Sequence, residues 1–425
     1  MKEPEFEPVC AGEPVAGDAV DRRQFFTFAR PPREFGLVAG GALSPVTVAY
    51  ETFGYLSPDR RNAVLVVHAL TGDSHVTRGG EDDPVKGWWE GMVGPGKPVD
   101  TNRYFVICSN VLGGCRGTTG PSSIDPVKGR PYGTDFPLVT IRDMVRVQRE
   151  LIRHLGVERL VTVIGGSMGG MQALEWVLIY PELVRSAISI AAPGRASPQS
   201  IAYNEVQRQA IMADPCWQGG HYYDGPRPVR GLAIARMLGM ITYNSNASMD
   251  RKFGRELVAR DANGKGPRGF TPEGRHPFHI HFEIENYLHY QGQKLVERYD
   301  ANTYLYLTRA MDFFELGAGF PSLRHALRRI KSKVLVVGID SDILYPVYQQ
   351  KELVREMRAS GVEAYYRELS SPWGHDAFLI EIEQLGGIVR EFLGAVEAGE
   401  GGLAAEVWGF RDGDLPRLRA GGGKT

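Results

Sequence analysis

Cysteines are few in this 425-residue chain, and it has no long apolar run. Cys10, Cys108, Cys115 and Cys216 are too scattered for a disulfide framework and lack the CxxC spacing of a zinc site, so we expect reduced thiols. No run reaches 18 apolar residues, and the first residues lack the basic-then-apolar order of a secretory signal. These absences predict a cytoplasmic protein.

An excess of charge of either sign is also missing. The chain has 49 Lys plus Arg against 50 Asp plus Glu, so no overall field favours nucleic acid or an anionic membrane. With 43% hydrophobic and 23% charged residues, the composition excludes a disordered or fibrous chain. Glycine, with 52 residues, is in excess and predicts many tight turns.

Short β-branched apolar runs alternate with amphipathic stretches, a pattern typical of buried parallel strands joined by crossover helices. The strand runs are 63–67, 104–107, 160–164, 187–190, 334–337 and 364–366, with helical spacing over 141–155, 170–180 and 347–358. The pattern predicts an α/β fold with a doubly wound, mostly parallel sheet.

The alternation stops between Pro193 and Ser332, where helical spacing, as in 229–238 and 299–307, replaces strand runs. We interpret this part as an inserted helical lid. The predicted organisation is a loose N-terminal tail, a two-part core, the lid and a loose C-terminal tail, at residues 1–25, 26–193 with 332–395, 194–331 and 396–425.

A nucleophile motif follows the apolar run 160–164. Residues 165–170, GGSMGG, match GxSxG between a strand and a helix-like stretch. In that setting the serine lies on a sharp turn with its hydroxyl exposed above the sheet edge, and a catalytic base is expected later in the chain. Ser167 is therefore the predicted nucleophile.

The acid and the base of a Ser-Asp-His series follow in the expected order. His375 comes after the last strand run, and Asp340 and Asp342 follow the run 334–337. Pro346 closes that loop and favours Asp342 as the acid. For the oxyanion hole, the backbone N–H groups of Met168 and Leu70 are the candidates, and we interpret His68 as a structural loop histidine.

Seven segments carry a resemblance to a known family: 48–54, 68–72, 110–121, 165–170, 300–305, 341–346 and 374–379. Over residues 24–395 the chain resembles the homoserine O-acetyltransferases of methionine biosynthesis, which have the α/β-hydrolase fold. The resemblance implies Ser167, Asp342 and His375 as nucleophile, acid and base, in agreement with the reading from the residues.

The resemblance further implies that Arg236 and Asp376 hold the amino-acid acceptor, whose carboxylate and ammonium need one cation and one anion. Tyr243 lies seven residues after Arg236 and would share its helix face. The alternative for Arg236 is a lid-to-core salt bridge. Asn244 stands where family members more often carry a basic residue, which concerns the shape of the lid and not the triad.

The implied reaction is a ping-pong transfer of acetyl from acetyl-CoA, a co-substrate, to L-homoserine, with no permanent cofactor and with a homodimer formed through the lid. A homoserine or serine O-succinyltransferase is the main alternative, with Arg116 meeting the succinyl carboxylate. An esterase would need no acceptor site, and a non-catalytic binding module would not need an intact Ser, Asp and His.

Two other clusters are weaker candidates. His276, His279 and His281 with Glu283 and Glu285 mix loop and helix positions and lack a motif such as HExxH, so no metal site is predicted. The aromatic pairs Trp88-Trp89 and Tyr222-Tyr223 favour packing over a ligand box.

Overall fold

The computed structural model describes residues 23–80, 83–258 and 282–399. Most of the two predicted tails, Cys10 and the three histidines of the predicted non-site, His276, His279 and His281, lie outside these ranges. The strands are β1 Gln24–Phe28, β2 Phe35–Gly36, β3 Ala42–Leu43, β4 Val46–Phe53, β5 Ala63–Val67, β6 Val93–Gly94, β7 Val99–Asp100, β8 Phe105–Ser109, β9 Leu160–Gly166, β10 Val184–Ile190, β11 Lys333–Ile339 and β12 Ala364–Leu369.

Helices flank the sheet and fill the insertion. They are α1 Ile141–His154, α2 Met168–Ile179, α3 Pro198–Met212, α4 Val229–Tyr243, α5 Asn246–Phe253, α6 Glu283–Val296, α7 Ala301–Asp312, α8 Leu323–Leu327, α9 Val347–Ala359, α10 Ala377–Ile380 and α11 Ile382–Ala398.

Eight strands form the main sheet, in the order β1-β4-β8-β5-β9-β10-β11-β12. From β8 to β12 all neighbours are parallel, whereas β4 runs antiparallel to β1 and β8. The predicted mostly parallel α/β sheet is confirmed. β1 and β4 were not predicted. β1 is partly exposed, and polar residues interrupt the apolar pattern of β4.

The central strands are continuous apolar runs because both faces of the sheet are covered. Every residue of β5 and β9 is buried. Two hydrophobic clusters share the sheet: alternate residues such as Leu65 and Val67 join one, and Val64 and Val66 join the other. Burial on both faces removes the polar alternation of a half-exposed strand.

The lid helices α3 to α8 occupy the chain between β10 and β11. α4 packs between α3 and α6, and α3 also contacts α7. The prediction of a helix over 299–307 was wrong at its start: α7 begins at Ala301, because the Asp300 side chain caps it by accepting from the Thr303 N–H. Tyr299 therefore lies in the corner between α6 and α7.

The tail boundaries also differ slightly from the prediction. Gln24 and Phe25 belong to β1 and pair with Tyr50 and Ala49, and residues 396–398 continue α11. In the described ranges, no helix combines the length and apolar character needed to cross a membrane.

Candidate active site

Ser167 lies at the turn between the end of β9 and the start of α2. Its backbone has φ 58° and ψ −123°, a conformation that non-glycine residues rarely adopt and that marks functional turns. The Ser167 N–H donates to the Ile190 carbonyl at 2.9 Å, which ties the turn to β10. The serine thus stands at the carboxyl edge of the sheet and at the positive end of α2.

Glycines on either side of Ser167 let this turn lie against β5. A Cβ on Gly165 would lie 2.4 Å from the Val67 carbonyl oxygen, and one on Gly169 would lie 2.2 Å from the same atom. Both distances are far below contact, so only glycine fits. A Cβ on Gly166 would lie 2.5 Å from the ring of Phe378, which is three residues after His375.

His375 and Asp342 form a buried pair. The His375 Nδ1–H donates to Asp342 Oδ2 at 2.7 Å, and the two residues are only 3% and 4% exposed. Asp342 Oδ1 accepts from the N–H groups of Leu344 at 2.8 Å and Tyr345 at 3.0 Å, which fixes the carboxylate. Within the described residues, His375 Nε2 is buried and has no hydrogen-bond partner, so this atom is the one open to a proton.

The His375 ring is surrounded by aromatic rings. Its centroid lies 5.3 Å from that of Tyr345, 5.8 Å from Phe378 and 5.9 Å from Tyr243. Burial lowers the pKa of His375, but the charge of Asp342 and its hydrogen bond raise it more, so the net pKa is above its ordinary value. The structure contains no Ser167–His375 hydrogen bond among the described atoms.

Asp340, the other acid candidate, points elsewhere. Its carboxylate accepts from the Ser370 hydroxyl at 2.8 Å and from the Ser371 N–H at 3.0 Å. The two aspartates thus separate by geometry: Asp342 contacts His375, and Asp340 joins two loops. A further hydrogen bond joins the loop after β11 to the loop that carries His375: the Gly374 N–H donates to the Ser341 hydroxyl at 3.0 Å.

Two backbone donors meet the requirement of an oxyanion hole. Among the hydrogen bonds of the described residues, none is donated by the N–H of Leu70 or of Met168. Leu70 is part of a turn in which the Gly72 N–H donates to the Ala69 carbonyl at 3.0 Å. Both N–H groups belong to buried residues and are available to an oxygen of a ligand.

His68 has a structural role in the same turn. Its Nδ1–H donates to the Ala69 carbonyl at 2.8 Å, and its Nε2 accepts from the Val111 N–H at 3.2 Å. Burial lowers its pKa, which keeps the ring neutral. The geometry supports its interpretation as a loop histidine.

Arg236, Tyr243 and Asp376 lie close enough to influence one another, and Tyr243 also packs against the His375 ring. Arg236 and Tyr243 share one face of the continuous helix α4, with the guanidinium carbon 5.6 Å from the ring centroid. Within the part of the chain that the structure describes, Arg236 Nε is buried without a hydrogen-bond partner. Burial raises the pKa of Asp376, while His375 and Arg236 act to lower it. The alternative of a lid-to-core salt bridge at Arg236 is not among the ion pairs of the described residues.

Buried thiols lie near this site but are poor nucleophiles. Burial raises the pKa of Cys115 to about 11, and burial with Glu51 and Asp73 raises that of Cys108 well above its usual range. Cys108, Cys115 and Cys216 are free thiols. Since the thiolate is the reactive form, the raised pKa values make Cys108 and Cys115 poor nucleophiles at neutral pH.

Two residues that were not predicted lie next to residues 68–72, the turn that carries the Leu70 N–H and is called the oxyanion turn below. Tyr299 donates through its hydroxyl to the Leu70 carbonyl at 2.5 Å, and Arg298 donates through Nη1 to the Thr71 carbonyl at 2.8 Å. The available signal was that Arg298 and Tyr299 directly precede the segment 300–305, but the helical interpretation of 299–307 concealed it.

Of the two weaker clusters, the histidine cluster lies largely outside the described residues, and the aromatic pairs are packed in the structure. The rings of Tyr222 and Tyr223 stack with centroids 4.7 Å apart, and both hydroxyls donate to the Asp300 carboxylate. Trp89 is buried in the core, with its ring edge-on to Phe378. In residues 23–80, 83–258 and 282–399, no group of three or more His, Cys, Asp or Glu is placed to hold a metal ion.

Comparison with known proteins extends these observations. A family model described as the alpha/beta hydrolase fold matches residues 62–381. A homoserine O-acetyltransferase of Symbiobacterium thermophilum is 56% identical over 380 residues, covering 89% of this chain and 97% of that protein.

Two solved structures have similar folds. The homoserine O-acetyltransferase from Bacillus anthracis superimposes with a TM-score of 0.78 at 30% identity, covering 87% of this chain and 97% of that one. Esterase E22 gives a TM-score of 0.77 at 30% identity, covering 87% and 99%. A transferase and an esterase thus share this architecture.

Proposed function

Because this chain belongs to the homoserine O-acetyltransferase family of α/β-hydrolase-fold acyltransferases, we infer that it moves an acetyl group from acetyl-CoA to the hydroxyl of L-homoserine. The product is O-acetyl-L-homoserine, for methionine biosynthesis. Acetyl-CoA is a co-substrate, and no permanently bound cofactor is needed. The protein is an enzyme, and the proposal concerns its substrates and the residues that act on them.

In the first half-reaction, Ser167 attacks the thioester carbon while His375 Nε2 takes the hydroxyl proton. Asp342 holds the ring in the tautomer that leaves Nε2 free. The N–H groups of Leu70 and Met168 stabilise the negative oxygen of the tetrahedral intermediate. The C–S bond then breaks, coenzyme A leaves with the proton from His375, and Ser167 carries the acetyl group.

In the second half-reaction, His375 takes the proton of the homoserine hydroxyl, which attacks the acetyl carbon. The same oxyanion donors act again, and Ser167 regains its proton as the ester product leaves. Water competes with the acceptor at this step. The lid counters it by burying the site and by holding the acceptor hydroxyl next to the acyl group.

The observation that carries the transferase function is the unpartnered Arg236 Nε beside Asp376. A buried guanidinium N–H without an acceptor is unfavourable, and a ligand anion would supply that acceptor. The acceptor carboxylate would bind Arg236, and its ammonium would bind Asp376. Tyr243 lies under the Arg236 guanidinium and would line the pocket.

Acetyl is preferred over succinyl as the donor group because Arg116, the candidate for a succinyl carboxylate, faces an acid. Its Nε lies 4.0 Å from Asp73 Oδ2, and its side chain is 13% exposed. That carboxylate offsets part of the positive charge that would attract a succinyl carboxylate.

Simple ester hydrolysis is the second candidate, favoured by the similarity to esterase E22. Both reactions form the same acyl-enzyme and differ in what removes the acyl group. An esterase needs no charged pair for an amino acid, so Arg236 and Asp376 distinguish the two.

The assembly and location follow from the same premise. We expect a cytoplasmic homodimer joined through the lid, where large apolar side chains on α3, α4 and α6 are exposed: Val206, Ile234, Ile241 and Tyr290. Light scattering at micromolar concentration should give twice the monomer mass. A monomer would contradict this part.

One assay tests the function. Acetyl-CoA and succinyl-CoA are each offered with L-homoserine and L-serine, thiol release is followed, and the products are identified by mass spectrometry. Acetyl transfer to homoserine should exceed the other three combinations by at least about ten-fold, since one good charge-assisted contact is worth that much. Free acetate as the main product would support the esterase instead.

A further inference from the structure

The corner between α6 and α7 reaches across to the oxyanion turn of the core. Two successive lid residues bind two successive core carbonyls: Tyr299 binds that of Leu70 at 2.5 Å, and Arg298 binds that of Thr71 at 2.8 Å. Tyr299 and Leu70 are 229 residues apart in the sequence, and Arg298 and Thr71 are 227 apart. The contact therefore joins the lid to the core at the turn that carries a proposed oxyanion donor.

Among the described residues, core groups hold the first carbonyl of this turn. The Ala69 carbonyl accepts from the Gly72 N–H at 3.0 Å and from His68 Nδ1 at 2.8 Å. The next two carbonyls, of Leu70 and Thr71, accept from the lid. Because a peptide unit is planar, the Leu70 N–H points opposite to the Ala69 carbonyl, which the core holds, and the lid fixes the peptide that follows Leu70. Core and lid together thus set the backbone of this tight turn on both sides of the Leu70 Cα.

The corner itself is firmly held within the lid. Arg227 Nη2 donates to the carbonyls of Val296 and Tyr299, each at 2.9 Å. Asp300 accepts from the Tyr222 hydroxyl at 2.6 Å. Tyr299 is only 3% exposed, so its hydroxyl has one well-defined position. A donor on such a rigid support can set the geometry of the turn it binds.

The surroundings of Arg298 disfavour its positive charge. Burial lowers its pKa, and the neighbouring charges of Arg236 and Arg116 lower it further, while Asp73 acts in the opposite direction. Packing alone would be served by an uncharged side chain at this position. A guanidinium here supplies a directed donor to the Thr71 carbonyl, one peptide beyond the carbonyl that Tyr299 binds.

We propose that Arg298 and Tyr299 are positioning residues: by holding the carbonyls of Leu70 and Thr71, they keep the turn 68–72 in the shape in which the Leu70 N–H faces the acyl oxygen, so that the lid supports the oxyanion hole. The inference rests on the proposed function, since it takes Leu70 as a donor to the acyl oxygen. It predicts that lid and core must be docked for either half-reaction to proceed.

The test uses the full-length enzyme and removes one hydroxyl. In Tyr299→Phe, acetylation of Ser167 and acetyl transfer to homoserine should slow by the same factor, about ten-fold. That is less than the roughly 100- to 1,000-fold loss of a whole oxyanion donor, since the N–H remains but is misplaced. The KM values and the ratio of O-acetylhomoserine to acetate should stay unchanged.

Arg298 is tested by a pair of variants. Arg298→Met removes the donor and the charge and should also lower kcat about ten-fold, by the same displacement of the donor. Arg298→Lys keeps a charged donor and should recover most of the rate. Equal losses in Met and Lys variants would overturn the assigned role for the Thr71 contact.

A matched control is available on α7. Tyr306 is another lid tyrosine whose hydroxyl donates to core carbonyls, those of Phe136 at 2.5 Å and Thr134 at 3.1 Å, but it does not touch the oxyanion turn. Tyr306→Phe should keep kcat. A Tyr299→Phe enzyme with wild-type kcat, or an equal loss of kcat in Tyr306→Phe, would overturn the proposal.

A second substrate separates this proposal from the proposed function. Hydrolysis of p-nitrophenyl acetate needs the triad and the oxyanion hole but neither coenzyme A nor homoserine. If the wild type hydrolyses this ester without using acetyl-CoA, the proposed function fails, and the Tyr299→Phe loss must still appear with the ester. If the wild type uses neither substrate, both proposals fail.

Discussion

Asp342 Oδ2 lies 2.7 Å from His375 Nδ1, and the opposite nitrogen of the same ring is buried without a hydrogen-bond partner among the described residues. One nitrogen is therefore held as a donor, and the other is left as an acceptor. A ring in this state can take a proton from a hydroxyl and return it to a leaving group.

The first prediction separates the two aspartates of the loop after β11. Asp342→Asn should slow thiol release by about 10³- to 10⁴-fold, because an amide favours the wrong tautomer of His375. Asp340→Asn is the control: it keeps an acceptor for Ser370 and Ser371 and should stay within a few-fold of wild type. The reverse ranking in stopped-flow assays would reassign the acid.

The second prediction concerns the nucleophile. Wild-type protein mixed with acetyl-CoA and no acceptor should gain one acetyl group at Ser167, detected by peptide mass spectrometry. Ser167→Ala should lose both the adduct and the burst of thiol release. An adduct on Cys115 would contradict the assignment and the inertness expected from its raised pKa.

The third prediction is the pH dependence of acetylation. His375 must be neutral to accept a proton, and Asp342 holds its pKa above the ordinary value despite the lowering effect of burial. Acetylation should therefore be fastest at high pH and fall as the pH drops through this raised pKa, with a midpoint above about 6.5. A midpoint of the burst rate below that value would show that burial outweighs Asp342.

The fourth prediction distinguishes transfer from hydrolysis. Arg236→Ala and Asp376→Ala should spare acetylation of Ser167 but lower the use of homoserine by roughly 10- to 100-fold each, since each removes a charge-assisted contact of about 1.5 to 3 kcal/mol. The acyl-enzyme should then decay mainly to acetate. Exposed Arg230, on the same helix α4, provides the control variant Arg230→Ala.

The measurement for that prediction is the ratio of O-acetylhomoserine to free acetate, alongside the thiol burst. A wild-type ratio in both variants would place the acceptor site elsewhere. Loss of the burst itself would mean that these residues support the triad and not the acceptor.

The fifth prediction concerns stability at the nucleophile turn. Gly169→Ala places a Cβ 2.2 Å from the Val67 carbonyl oxygen, so it should lower the free energy of unfolding by at least about 1 to 3 kcal/mol. Gly387→Ala is the matched control, because a Cβ in that part of α11 meets nothing within 4 Å. It should raise stability by about 0.5 to 1 kcal/mol. Chemical denaturation of the two variants provides the comparison.

The parallel strands and the nucleophile turn could be predicted because their causes are local. A strand buried on both faces, such as β5, must be apolar throughout, and the turn at Ser167 needs glycines wherever the backbone comes close to Val67. The order of Ser167, Asp342 and His375 follows from the same fold rules. Each of these features depends on residues near in sequence, or on their order along the chain.

The tertiary structure decided what depends on residues distant in sequence. Whether Asp340 or Asp342 meets His375 depends on how two loops pack, and the sequence alone offered only Pro346 as a guide. The antiparallel strand β4 is recognisable once its neighbour β8 is known. Tyr299 and Arg298 gain their meaning from contacts 229 and 227 residues away, which no local pattern encodes. The sequence by itself thus determined the fold and the chemical groups, while packing between distant segments determined which of those groups meet.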